Sequence, residues 1–422
     1  MQLDQTQLGR FNRARVLLEI QKQKTFSRTQ LAKALGLSLM AVTRIVRDLI
    51  AAGLIEEGEK SIRANSPGRR RTELALVSEG AYVLGLSINA YEPSVCLANL
   101  RGEVLLRRAF PLAPAADPTL ALACCGKGLQ ELMATAGVDR RRVLGLGVVM
   151  SGVVDHRKGI AVTVPFLGWQ ATDIAGPLKR AVGVPVAVDN LTNALLLAEV
   201  SFGVAAGKRS VMFFRNAIGL AGSLFLDGQL VRGARFSAGQ IGHTPVAGAM
   251  TRCSCGQIGC LNTVSSGAAV LAQLGNAVGP VLSPEGNRGN KTQLDRVLAL
   301  AARGDDRTRE ILFRAGCFLG EALLAIALAV DPEQILLSGP LSSSPSYRDG
   351  VNAGLSRLLS GASELVATSA MEDSRAAALL ALSELVFSGR IALRRLPGSK
   401  GRSNLGTKPT GASRRKRNVA GA

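Results

Sequence analysis

An α/β fold built of two matching halves, behind a small helical module, is what this 422-residue sequence predicts. Three observations lead there. The first 80 residues carry short amphipathic helices with few strand signals. From Tyr82 onward, apolar strands alternate with helical stretches. Finally, one order of strand, strand, X-Gly turn and strand occurs twice in the chain. Charge adds a functional hint. Residues 1–80 hold 14 Lys/Arg against 8 Asp/Glu, and 388–422 hold 10 Lys/Arg and no acid, within a formal net charge of +20. Positive charge concentrated at both ends suits an acidic polymer as partner.

The elements follow in order. Phe11–Gln21 is amphipathic, and Ser27 can cap a short helix over 29–35. Gly36 supplies a turn, and Ser38 caps a longer helix running to about Ala52. Ala32, Gly36, Val42 and Ile45 give the spacing of a helix-turn-helix, in which a small residue lets two helices approach and glycine makes the turn. Leu54–Glu57 and Leu74–Leu76 read as strands around a Gly/Pro/Arg loop, a wing. In the first half of the α/β region, Val83–Ile88, Val95–Leu100 and Glu103–Leu106 are strands, with Arg101-Gly102 as the turn. In the second half, 211–214, 222–226 and 229–231 repeat them around Asp227-Gly228. Leu144–Met150 before Ser151-Gly152 matches Gln334–Leu337 before Ser338-Gly339. Helices are expected over 177–182, 192–202, 267–278, 292–302 and 307–330, and residues beyond Ser388 read as a disordered basic tail. The boundaries are thus 1–80, 81–387 and 388–422.

Two constellations carry chemistry. The helix beginning at Ser38 would present Ser38, Met40, Thr43, Arg44 and Arg47 outward, where they can reach base edges in a major groove of double-stranded DNA. Arg69, Arg70 and Arg71 at the wing tip suit phosphates or a narrow minor groove. The second constellation is His243, Cys253, Cys255 and Cys260, a Cys₃His set that makes a closed tetrahedral zinc site. Buried free thiols or a Cys253/Cys255 redox pair are the alternatives. Cys96, Cys124, Cys125 and Cys317 lie in apolar stretches and are assigned to the core, and His156 to the surface. The N-terminus has no apolar leader, and the uncharged runs are too short or too interrupted by polar residues to cross a bilayer. A cytoplasmic chain without a membrane partner is therefore expected, with no disulfide framework.

The segment 238–243 followed by 253–260 resembles the signature of the ROK family, which groups bacterial repressors and sugar kinases. The likeness runs from about Tyr82 to Phe387 and includes 151–155, Gly168-Trp169, 185–193, 218–222 and 331–335. It implies a duplicated actin-like (ribonuclease H-like) sugar-kinase fold, and the preceding winged helix-turn-helix implies a regulator. Departures from the family pattern bear on catalysis. The family's glycine-rich phosphate hairpin is replaced by Ser87-Ile88-Asn89-Ala90-Tyr91-Glu92. Its catalytic base position holds Leu191, which cannot accept a proton. Two pocket carboxylates are replaced by Gln240 and Asn262.

The expectation is a regulator of carbohydrate-related genes, most simply a repressor, with no catalytic residues and an inactive kinase-like sensor. A sugar kinase with an appended regulatory domain is the alternative. Asn190, Gln240, His243 and Asn262 would line the effector pocket, and the loss of carboxylates there favours an anionic sugar derivative. A homodimer or a dimer of dimers is expected to read a palindromic operator.

Overall fold

A computed structural model describes residues 4–22, 26–61, 71–110, 117–357 and 361–390. Its first unit packs helix α1 (Gln5–Lys22) across α2 (Arg28–Leu35) and α3 (Leu39–Ala51), with strands β1 (Ile55–Ser61) and β2 (Arg71–Leu76) alongside. Each start has a chemical cause. Ser27 and Gln30 form a reciprocal capping box on α2, and the Ser38 hydroxyl accepts from the Ala41 amide on α3. Between them Gly36 adopts φ +65°; no neighbour crowds it, so this backbone angle is what calls for glycine. Val16, Leu17, Leu31, Val42 and Val46 are fully buried and make the module's core.

A one-turn connector, Ser78–Gly80, leads into the first lobe. Strands β3 (Tyr82–Ile88), β4 (Ser94–Asn99) and β5 (Val104–Ala109) form a meander, helix α4 (Pro118–Ala136) follows, and β6 (Val143–Met150) returns parallel to β3. A three-stranded flap, β7 (Val153–Asp155), β8 (Ile160–Val164) and β9 (Trp169–Asp173), precedes α5 (Ala175–Val182). Strand β10 (Val186–Asn190) completes the sheet in the order β10-β6-β3-β4-β5. Helix α6 (Leu191–Phe202) then crosses to the second lobe.

There β11 (Val211–Asn216), β12 (Leu220–Leu226) and β13 (Gln229–Val231) repeat the meander. A long excursion holds α7 (Asn262–Ser265), α8 (Gly267–Gln273), α9 (Pro284–Ala302) and α10 (Asp306–Val330). Then come β14 (Gln334–Ser338), α11 (Pro345–Leu355), α12 (Ala362–Leu365), β15 (Val366–Ser369) and α13 (Asp373–Ala381). The sheet runs β13-β12-β11-β14-β15, so both lobes share one strand order and the duplication read in the sequence is present. Close approach fastens α13 to the first lobe: a methyl on Gly147 of β6 would lie 1.8 Å from the Ala377 carbonyl oxygen. Helices α10 and α11 also cross through glycines, Gly316 and Gly320 against Gly350 and Gly354. By length and composition α10 could cross a membrane, yet half of its apolar window is buried against the rest of the protein.

Several expectations need correction. The helix from Gly267 ends at Gln273, because Gly275 turns the chain with φ +78°. Helix α9 starts at Pro284, well before residue 292. Its inward face carries Asn287 and Asn290, whose amides donate to Val281 and Gly279 carbonyls of the preceding loop, so apolar periodicity is absent there. Cys96 and Cys125 are buried as expected, but Cys124 and Cys317 are only partly so. His156 is half-buried against the Phe236 ring rather than at the surface. The tail from residue 391 onward lies outside the described residues.

Candidate functional sites

Helix α3 is two-faced. Val42, Ile45, Val46 and Leu49 are buried, while Ser38, Met40, Thr43, Arg44 and Arg47 are exposed, Met40 at 83%. Neither Arg44 nor Arg47 meets a carboxylate among the described residues, and no acidic residue occupies the first turn. The helix N-terminus therefore adds its positive end to that of the guanidinium groups. Strands β1 and β2 pair from Ile55↔Leu76 to Ser61↔Arg71, which makes the body of a wing. Arg69 and Arg70 lie outside the described residues, as does the side chain of Arg71.

The predicted metal ligands come together. One ligand atom each from His243, Cys253, Cys255 and Cys260 lies within 4.8 Å of the other three. His243 Nδ1 lies 3.7 Å from Cys253 Sγ, and Cys255 Sγ lies 3.6 Å from Cys260 Sγ. A tetrahedral zinc with bonds of about 2.0–2.3 Å sets its ligands roughly 3.3–3.8 Å apart, so the set fits with small adjustments. Local backbone bonds build the knuckle: Cys253 N–H donates to Gln257 and Gly256 N–H to Cys253, while Pro245 and Cys260 form a β-bridge. Burial holds His243 below the usual histidine range, which keeps it neutral as a ligand must be. Burial pushes the Cys260 thiol up to about 12, so a cation must displace that proton.

The expected effector residues surround the start of β12. Thr192 Oγ1 and the Gly239 loop both bind Gly222, and Asn262 Oδ1 accepts from the Leu220 amide at 2.8 Å. Asn190 caps α6: its Oδ1 accepts from the Thr192 amide at 2.8 Å, and its Nδ2 donates to the Gly152 carbonyl at 2.6 Å. Gln240 is exposed and makes no side-chain hydrogen bond among the described residues. Three of the four thus already have protein partners: Asn190 and Asn262 as clasps, His243 in the knuckle.

Two arrangements beside this site have no signal in the sequence. Asp189, buried, accepts from Arg232 Nη2 at 2.6 Å and Nε at 3.2 Å, and from Asn193 at 3.1 Å. At the hairpin after β3, Asn89 Oδ1 accepts from the Tyr91 and Glu92 amides at 2.9 and 2.8 Å, while its Nδ2 donates to Asp373. Asp373 in turn pairs with Arg215 at 2.9 Å. Tyr91 packs into the second lobe, where burial raises its phenol above the usual range. The amides that a phosphate-binding hairpin offers to its ligand are here turned onto a side chain of the protein itself.

The ROK family profile matches residues 83–382, and a winged helix-turn-helix DNA-binding profile matches residues 12–56. The chain belongs to the ROK family, with an N-terminal winged helix-turn-helix before a sugar-kinase-like, actin-type body. Among curated proteins it is similar to a xylose repressor of Caldicellulosiruptor bescii, 28% identical over 63% of this chain and 66% of that protein. That alignment spans just under two thirds of the relative's length. It is also similar to the DNA-binding transcriptional repressor Mlc of Escherichia coli, 26% identical over 80% of this chain and 82% of that protein. Among solved structures, a ROK family transcriptional regulator described as a homologue of the E. coli Mlc protein superposes with a TM-score of 0.73. It is 25% identical and covers 91% of this chain and 98% of its own. A ROK hexokinase from Thermus thermophilus shares the fold, with a TM-score of 0.56, 22% identity, and coverage of 72% of this chain and 98% of its own.

Proposed function

We propose that this chain is a cytoplasmic DNA-binding transcriptional repressor of carbohydrate-related genes whose kinase-like body senses an effector without phosphorylating it. The observation that carries this reading is the exposed cationic face of α3, with Met40, Thr43, Arg44 and Arg47 presented by a buried apolar stripe. A relative named a transcriptional repressor and a solved ROK family transcriptional regulator that covers 91% of this chain support it. In this reading Ser38 and those four residues read bases, and Arg69, Arg70 and Arg71 hold phosphates. The Arg44→Ala/Arg47→Ala pair checks it by fluorescence anisotropy on operator DNA selected from random sequence. A bidentate arginine–guanine pair supplies about 1–3 kcal/mol of sequence preference, so the double variant should discriminate its operator from random DNA far less well. Equal preference in wild type and the double variant rejects this use of α3.

Zinc is the proposed metal, held by His243, Cys253, Cys255 and Cys260, and its role is to fix the fold of the 243–260 knuckle. The effector pocket is proposed at Asn190, Gln240, His243 and Asn262. Nδ1 of His243 faces Cys253, which leaves Nε2 for the ligand, and the Asn262 Nδ2 group is available beside Gly242. Donors without carboxylates favour an anionic sugar derivative. Symmetric dimers or dimers of dimers would place two winged modules on a palindrome. Phosphoryl transfer is disfavoured because Leu191 stands at the base position and Asn89 occupies the hairpin amides.

A further inference from the structure

We propose that the groove between helix α1 and the two-lobed body binds a small organic phosphate, at a place separate from the effector pocket. The groove has a volume of about 860 Å3, ample for a phosphorylated metabolite. Lys22 comes from α1, Arg101 from the β4–β5 turn, Lys208 from the loop before β11 and Arg375 from α13. Among the described residues no Asp or Glu lines it. Lys22 has a partner, Glu19, at 3.8 Å. Among the described residues the other three have no carboxylate within 4.0 Å, although Glu333 acts on Lys208 at longer range. Four unit charges of one sign around one cavity repel each other, and a dianion placed among them relieves that repulsion.

The two arginines are also preset for an anion. Arg101 Nε donates to Ser78 Oγ at 2.9 Å, and Arg375 Nε donates to the Gly102 carbonyl at 3.1 Å. Each guanidinium is thereby anchored through Nε, and among the described residues its Nη groups keep no partner that would compete with phosphate oxygens. Phe202 and Phe387 supply apolar wall for the carbon skeleton. Residues 388–422 contain no Asp or Glu and so offer the groove no carboxylate side chain. Position gives the site its meaning: Arg101 also holds Ser78 in the connector between the two units, so an anion on Arg101 acts at the joint.

The test needs no DNA, so it stands or falls apart from the repressor reading. Full-length protein is titrated with sodium pyrophosphate by calorimetry, against sodium chloride of matched ionic strength. Wild type is expected to bind one pyrophosphate saturably. Lys208→Gln with Arg375→Gln should raise the Kd at least tenfold, and Gln240→Ala should leave it unchanged. Lys208→Gln alone, which removes no side-chain hydrogen bond among the described residues, should raise it about threefold and guards against misfolding of the double variant. No saturable binding beyond the chloride control overturns the site. So does binding that survives both groove variants, or binding that follows Gln240→Ala.

Discussion

Asp189 illustrates what single side chains decide here. A buried carboxylate that accepts from two Arg232 nitrogens and from Asn193 is a strut between β10 and the strand β13 region, not a free base. Removing one partner would leave a buried charge unmatched. His156, close enough to feel both members of that pair, has its pKa lowered chiefly by burial. Folding therefore keeps it neutral. The stability it contributes is full above about pH 6.5 and is lost as acid protonates the unfolded chain first. His156→Gln should flatten the fall in urea-unfolding free energy below that pH; an unchanged slope would show that His156 does not cause it. Little of this is legible in the sequence. Asp189 sits next to the capping Asn190, but Arg232 lies 43 residues away with no local signal for the pairing.

Elements are most legible where one face is apolar and a cap marks the start. Helix α3 shows both, with Ser38 at its N-cap and four buried apolar residues on one side. Helix α4 is not among the helices the sequence predicts, because Ala121, Cys125, Gly126 and Ala136 share its buried face with Leu122, Leu129, Leu132 and Met133 while Leu120 is exposed, which blurs the contrast between its faces. The knuckle from His243 to Cys260 is legible because a histidine and three cysteines stand at a spacing that hydropathy does not dictate. Purified protein should carry one zinc per chain, and Cys255→Ser should lower zinc content by elemental analysis together with the melting temperature. Stable, metal-free protein with an unaltered melting curve would reject a structural zinc.

At the scale of the molecule, repeated strand order is visible as two meanders with X-Gly turns, whereas the bridge Asn89–Asp373–Arg215 across the lobes is not. With Leu191 after the capping Asn190 and Asn89 on the hairpin amides, hexose phosphorylation by ATP is predicted to stay at the uncatalysed background in a coupled assay. Turnover above background that disappears in Asp189→Asn would overturn this. The seating of α13 has a consequence for how the chain is made. Gly85 and Gly147 of the first lobe press against Ser374 and Ala377, so the first lobe receives a covering helix that follows the whole of the second sheet in the chain. A ribosome has released both sheets before that helix arrives, and until then the β3–β6 face waits exposed, with its closing contacts spanning more than 200 residues. Ending translation before Met371 should therefore injure the first lobe rather than the second. Limited proteolysis of such a truncated chain should cut first within residues 82–150, while the 211–338 region persists.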